Sequence, residues 1–157
     1  MSHTSSRHNS LPVIGWREWV ALPDLGITGI KAKIDTGARS SAIHAFDVET
    51  FQQQGQSMVR FKVNPLQRDS ICVVAVEVPL LEERIVRNSG GDSQLRAVIE
   101  TSVSVGSHTW PIELTLTNRD VMGFRMLLGR QAIRHRFLVD SGRSYLQGSR
   151  RTHRPKA

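Results

Sequence analysis

At 157 residues, with 39% hydrophobic and 22% charged side chains, the chain holds material for one buried core. No apolar run approaches the ~20 residues of a membrane-spanning helix, and the first ten residues lack the apolar block of a secretory signal. The single cysteine, Cys72, excludes an internal disulfide framework and a cysteine-only metal site. Lying in Ile71-Cys72-Val73-Val74-Ala75-Val76, it reads as a structural thiol in a buried strand, and a cytoplasmic address is expected. The net charge of +7 resembles a nucleic-acid signal until it is located. Arg7, Arg150, Arg151, Arg154 and Lys156 supply five of those charges from the two ends, leaving the body at +2. Specific nucleic-acid binding is therefore not expected, and no membrane contact is.

Residues 1–10 and 149–157 read as disordered tails flanking one domain, 11–148. Inside it, short β-branched runs alternate with turn signals. Val13 to Leu22 reads as a first strand, Pro23-Asp24-Leu25-Gly26 as a turn, and Ile30 to Asp35 as a second strand. Phe46 to Gln54 is a helix candidate. Met58 to Val63 and Ile71 to Leu80 read as strands. Arg84 to Arg87 and Leu95 to Val105 flank a polar, glycine-rich hairpin tip, Asn88-Ser89-Gly90-Gly91-Asp92. Trp110 to Thr117, Phe124 to Leu128 and Phe137 to Asp140 complete the strands, with at most a short helix at Arg130 to His135. Many short strands and few helices predict a closed or nearly closed barrel.

Two signatures carry chemistry. Lys33-Ile34-Asp35-Thr36-Gly37-Ala38 places Asp-Thr-Gly at the end of an alternating strand, and Met126-Leu127-Leu128-Gly129-Arg130 leads into the short helix. Asp-Thr-Gly alone is uninformative, because a loop carboxylate that caps a turn is common. The pair in this order, with a hairpin between, resembles the retropepsin pattern over roughly residues 13 to 140, with 47–83 as an insertion relative to the compact viral enzymes. Lys31 to Ala45, Leu116-Thr117-Asn118-Arg119 and Met126 to Arg130 resemble more narrowly a bacterial family labelled ATP-dependent zinc proteases. That family is associated with the ligase that adds glutamates to a small-subunit ribosomal protein.

The resemblance implies a mostly β, retropepsin-like closed barrel with one short helix after Gly129-Arg130. It implies a peptidase that trims poly-glutamate tails of a ribosomal protein, with a glutamate ligase as possible partner. Aspartic peptidases need two carboxylates sharing a proton, one to activate water and one to protonate the carbonyl oxygen. With one Asp-Thr-Gly per chain, the second Asp35 is expected from a two-fold mate. Thr36 is expected to hydrogen-bond across the axis, Gly37 to allow the tight turn, and Arg130 to act as a buried charge-pairing residue of fold and dimer.

Side-chain alternation puts Lys31, Lys33 and Asp35 on one strand face. Lys33 and Arg125 stand where retropepsins usually have apolar pocket residues, and Arg39 where viral enzymes have an Asp. Ala38, Arg39, Lys33, Arg125 and the hairpin arginines Arg87 and Arg96 are thus candidate substrate contacts, with Arg84 beside them. Such cations suit a substrate bearing carboxylates. No cofactor is expected: His44, His108 and His135 show no ligand spacing, and no glycine loop cradles phosphate, although the family label keeps zinc as an alternative. His44 is the histidine expected nearest the site. Asp140, in Val139-Asp140-Ser141-Gly142, echoes Asp-Thr-Gly without its context. The rival readings are a non-catalytic module that captures acidic peptides, a zinc peptidase on the same scaffold, and a ribosome- or RNA-contacting protein that uses the basic C-terminal tail.

Overall fold

A computed structural model describes residues 10–66, 72–87, 90–118 and 123–148; the expected tails at 1–10 and 149–157 lie outside them except for Ser10, which is in a turn. The run expected as one first strand is two. Strand β1, Val13–Gly15, pairs in parallel with the last strand, β12, Leu138–Asp140, whereas β2, Arg17–Leu22, joins the barrel. The break falls at Gly15 because Arg143 crosses there: a Cβ on Gly15 would sit 2.2 Å from the Arg143 carbonyl oxygen.

Pro23–Leu25 forms one 3-10 turn, closed by Gly26 at φ 73°, and β3 runs from Ile27 to Asp35. Then come β4, Ser41–His44; β5, Phe46–Gln53; β6, Gln56–Val63; β7, Val74–Pro79; and β8, Glu82–Arg87. Strand β9, Ser93–Val105, β10, His108–Thr117, and β11, Met126–Gly129, precede the helix α1, Arg130–Ile133.

The strand order β10-β4-β11-β3-β2-β9, with β9 pairing back to β10, closes a six-stranded mixed barrel, and β8 extends β9 as a hairpin arm. Alternation makes the core. Val20 and Leu22 of β2, Ile30, Ala32 and Ile34 of β3, Ile43 of β4, and Ile112, Leu114 and Leu116 of β10 all point inward. Strand β11 departs from alternation along its whole length, with all four residues buried. It threads between β3, to which it is parallel, and β4, to which it is antiparallel, and both of its faces are covered as well. A continuous apolar run is what such a position demands.

The helix expected at Phe46 to Gln54 is a strand. Gln54 and Gly55 both have positive φ, 52° and 79°, and connect β5 to β6 as a two-residue hairpin loop. Strands β5, β6 and β7 form a separate three-stranded sheet whose Val59, Phe61, Val63 and Val76 join the same core as the barrel. Across its outer face, register sets Arg60 between Glu49 and Glu77, and the Arg60 guanidinium lies 4.2 Å from the Phe51 ring centre. Cys72 is half-buried and precedes β7 rather than lying within a buried strand.

Glu18 is a buried residue that the sequence reading passed over. It faces inward on β2 and is 0% exposed. Its Oε2 accepts backbone N–H bonds from Gly15 (2.7 Å) and Leu146 (2.8 Å). Its Oε1 accepts them from Gln147 (3.0 Å) and Gly148 (3.1 Å). Four donors satisfy the carboxylate and bind the segment after β12 to the barrel. The only advance signal was an acidic residue in phase with Val20 and Leu22.

Candidate active site

Asp35 ends β3, half-buried, at the level of Gly129 on the neighbouring strand. Its Oδ1 accepts N–H bonds from Gly37 at 3.0 Å and Ala38 at 3.2 Å, so the loop's own amides orient the carboxylate. Oδ2 receives no hydrogen bond from the described residues and remains available to a reacting group. Gly37 has no positive φ; what it provides is room, since a Cβ there would crowd Asp35 Oδ1 at 3.3 Å.

The second signature holds this loop. The Arg130 N–H donates to the Ala38 carbonyl (2.7 Å) and the Gln131 N–H to the Arg39 carbonyl (3.1 Å). The Gly129 N–H donates to the buried Ser41 Oγ at 3.0 Å. Gly129 must be glycine, because a Cβ would lie 2.5 Å from the Ser40 carbonyl oxygen. Arg130 itself is exposed, not buried, and donates through Nη1 to the Thr36 carbonyl at 3.1 Å. A helix-start residue points outward from the barrel, so its side chain braces the loop from above rather than pairing in the core. Thr36 and Arg39 are exposed at the loop's outer rim.

The other expected residues divide by position. Lys33 shares the outer face of β3 with Asp35, two residues away, about 7 Å along a strand. Lys31, next on that face, places its ammonium 5.3 Å from the Phe124 ring centre. Arg125 precedes β11, so it stands some four residues, roughly 13 Å, below the level of Gly129 and Asp35. His44 is also removed from Asp35. Antiparallel pairing of Met126 with Ile43 sends it to the far end of β4, where its N–H meets the Arg125 carbonyl at 2.7 Å.

On the β8–β9 hairpin, register divides the arginines. Arg84 lies directly opposite Arg96, and Arg87 opposite Ser93, which puts Arg87 on the other face. The two expected hairpin contacts, Arg87 and Arg96, therefore do not share a face. Arg84 is occupied by Glu82 and Glu113, whose hydrogen bonds raise its pKa above the ordinary value. Beside the Asp35 loop, Ser40, Gln131 and Glu113 border a cavity of about 200 Å3, whose acidic member makes it a poor seat for a carboxylate. Asp140 Oδ1 caps its own turn by accepting the Gly142 N–H at 3.1 Å. Among the described residues of one chain, no group of three or more His, Cys, Asp or Glu side chains is placed to hold a metal.

A closed barrel with an Asp-Thr-Gly loop clipped to a Leu-Leu-Gly-Arg strand end defines the retropepsin-like class. Within that class the chain belongs to the RimB-like family, described as retropepsin-like aspartic endopeptidase RimB, whose model matches residues 13–150. Similar proteins include two named "Probable alpha-L-glutamate ligase". The one from Desulfotalea psychrophila is 48% identical over 82% of this chain, and the one from Parasynechococcus marenigrum 48% over 88%. The chain spans only about three-tenths of the length of these relatives, 28% and 30%. A Legionella pneumophila crystal structure of unknown function (DUF785) superposes with a TM-score of 0.70 at 26% identity, covering 87% of this chain and 98% of that one.

Proposed function

We propose that this chain hydrolyses acidic peptides, with oligo- or poly-glutamate ends as the substrate class, as a two-fold dimer in which two Asp35 carboxylates share one site. The observation that carries the reading is the Asp35 loop: a half-buried carboxylate fixed through Oδ1 by two amides, and a lysine on the same strand face. A single Asp-Thr-Gly per chain makes a mate necessary for the two-carboxylate mechanism, and the exposed rim at Thr36 and Gly37 suits such a meeting. One carboxylate takes a proton from water as it attacks the peptide carbonyl; the other donates its proton to the carbonyl oxygen. Thr36, Gly37 and Ala38 shape the loop, and Lys33 attracts the substrate's carboxylates, with Arg39 at the rim. Similarity to a stretch of proteins named for ligating glutamate supports the choice of substrate and makes a glutamate ligase the expected partner.

The test compares hydrolysis of hexaglutamate, hexaglutamine and hexalysine by the wild type and by Asp35→Asn. The reading expects glutamate preference, a dimer by sedimentation, and a loss of at least about 1000-fold in Asp35→Asn. Undiminished cleavage by Asp35→Asn, or equal rates on all three peptides, contradicts it.

A further inference from the structure

The outer face of β2 and β3 carries a cation that neither sequence signature contains. Arg17 pairs directly with Lys33 in the antiparallel register, so the two side chains stand side by side on the face that ends at Asp35. The surroundings of Arg17 are specific. Its Nε donates to Ser144 Oγ at 3.1 Å, and its guanidinium lies 4.6 Å from the Trp16 ring centre and 5.0 Å from that of Tyr145. The Tyr145 N–H donates to the Arg17 carbonyl at 3.0 Å, and the Tyr145 ring stacks on Trp19 at 6.4 Å. Residues 144–148, which supply these partners, are themselves clamped by Glu18 through Leu146, Gln147 and Gly148.

The guanidinium is thus oriented on three sides by neutral groups, and among the described residues no carboxylate pairs with it. Arg84 and Arg60, by contrast, are engaged by glutamates. An arginine fixed through Nε and two rings keeps its terminal nitrogens for bidentate contact with an incoming carboxylate. Orientation completed during folding need not be repeated on binding.

We propose that Arg17, beside Lys33, forms an anion subsite for a substrate side-chain carboxylate lying along the peptide from the bond cut at Asp35. Arg17 and Asp35 stand diagonally across the strand pair, about 7–8 Å apart between Cα atoms. An extended peptide advances ~3.3 Å per residue, so the residue gripped is about two positions from the cleaved bond. This deepens the acidic-peptide reading and rests on it for the substrate class. The aromatic clamp around Arg17 sets the position at which a carboxylate is required.

The experiment measures peptide binding to the full chain carrying Asp35→Asn, alone and combined with Arg17→Gln or Arg17→Lys, and in parallel the cleavage kinetics of the same Arg17 variants with Asp35 intact. Hexaglutamate and six derivatives, each with one Glu replaced by Gln, serve as probes. We expect Arg17→Gln to weaken hexaglutamate binding about tenfold, and Arg17→Lys, which preserves the charge and most of the stacked stem, by about threefold. The effect should vanish for one derivative only, and in the active enzyme it should fall on KM with kcat nearly unchanged. Equal affinity with and without Arg17, a uniform loss across all peptides, or no hexaglutamate binding by Asp35→Asn overturns the subsite. If Arg17→Gln fails to fold, Arg17→Lys decides. Position-specific binding without wild-type cleavage would remove the peptidase reading and retain the subsite; cleavage indifferent to Arg17 would do the reverse.

Discussion

Two basic regions of this molecule look alike in composition and differ in what they can do. The hairpin β8–β9 carries Arg84, Arg87 and Arg96 on its two paired strands, and the β2–β3 wall carries Arg17, Lys31 and Lys33. On the hairpin, register divides the arginines between two faces, and Glu82 and Glu113 hold one of them. The face with Arg87 also presents Ile85 and Leu95, directly paired and 69% and 59% exposed. On the wall, strand alternation and pairing align all three cations on one side, below a carboxylate set by its own loop amides. Strand register, rather than the density of basic residues along the chain, decides whether charges act on one ligand.

The largest break in this comparison comes at the support of the wall's upper end. Gly129→Ala drives a methyl group into the Ser40 carbonyl, and we expect it to cost about 2–3 kcal/mol and to displace the Asp35 loop. Urea unfolding should show the loss, and cleavage should fall further than stability alone explains. Next in size, Lys33→Gln should raise KM for hexaglutamate about fivefold, while Arg87→Gln, on the hairpin's other face, should change it less than twofold. Equal effects would mean that hairpin and wall serve the substrate alike. The smallest effect concerns the aromatic clamp. Burial raises the Tyr145 hydroxyl above its ordinary value of 10.0, so its phenolate is disfavoured in the folded state. The sign follows: its contribution is intact below pH 10 and is lost as pH rises through the raised value. Tyr145→Phe should flatten that alkaline decline in unfolding experiments run between pH 9 and 11.

The sequence exposed some of this plainly. Phe124 to Leu128 reads as a strand and Asp-Thr-Gly as the end of an alternating strand, and both lie where local pattern puts them, although the burial of β11 on both faces does not show in the pattern. The miss at Phe46 to Gln54 has a local cause too. Glutamines and a glutamate favour helix, but Gln54-Gly55 is a hairpin loop whose strands are fixed by pairing with β6. Other features depended on residues far away. The split of the first strand follows from Arg143 crossing at Gly15, and the outward placement of Arg130 follows from where α1 starts on the barrel. Within the site, alternation correctly placed Lys33 with Asp35, whereas Arg125, His44 and the hairpin arginines needed the register that only the fold supplies.

The carboxylate of Glu18 gives the barrel a molecular fastening where the described residues hold no further strand. Among the described residues the last regular element ends at Asp140, yet the amides of Leu146, Gln147 and Gly148 solvate an anion under the first barrel strand. A version of this domain trimmed after its final strand would leave that anion with a single amide, water entering beside Val20, and Arg17 unhitched from Ser144 and Tyr145. Seen this way, eight residues without regular structure are as much a wall of the barrel as any of its strands.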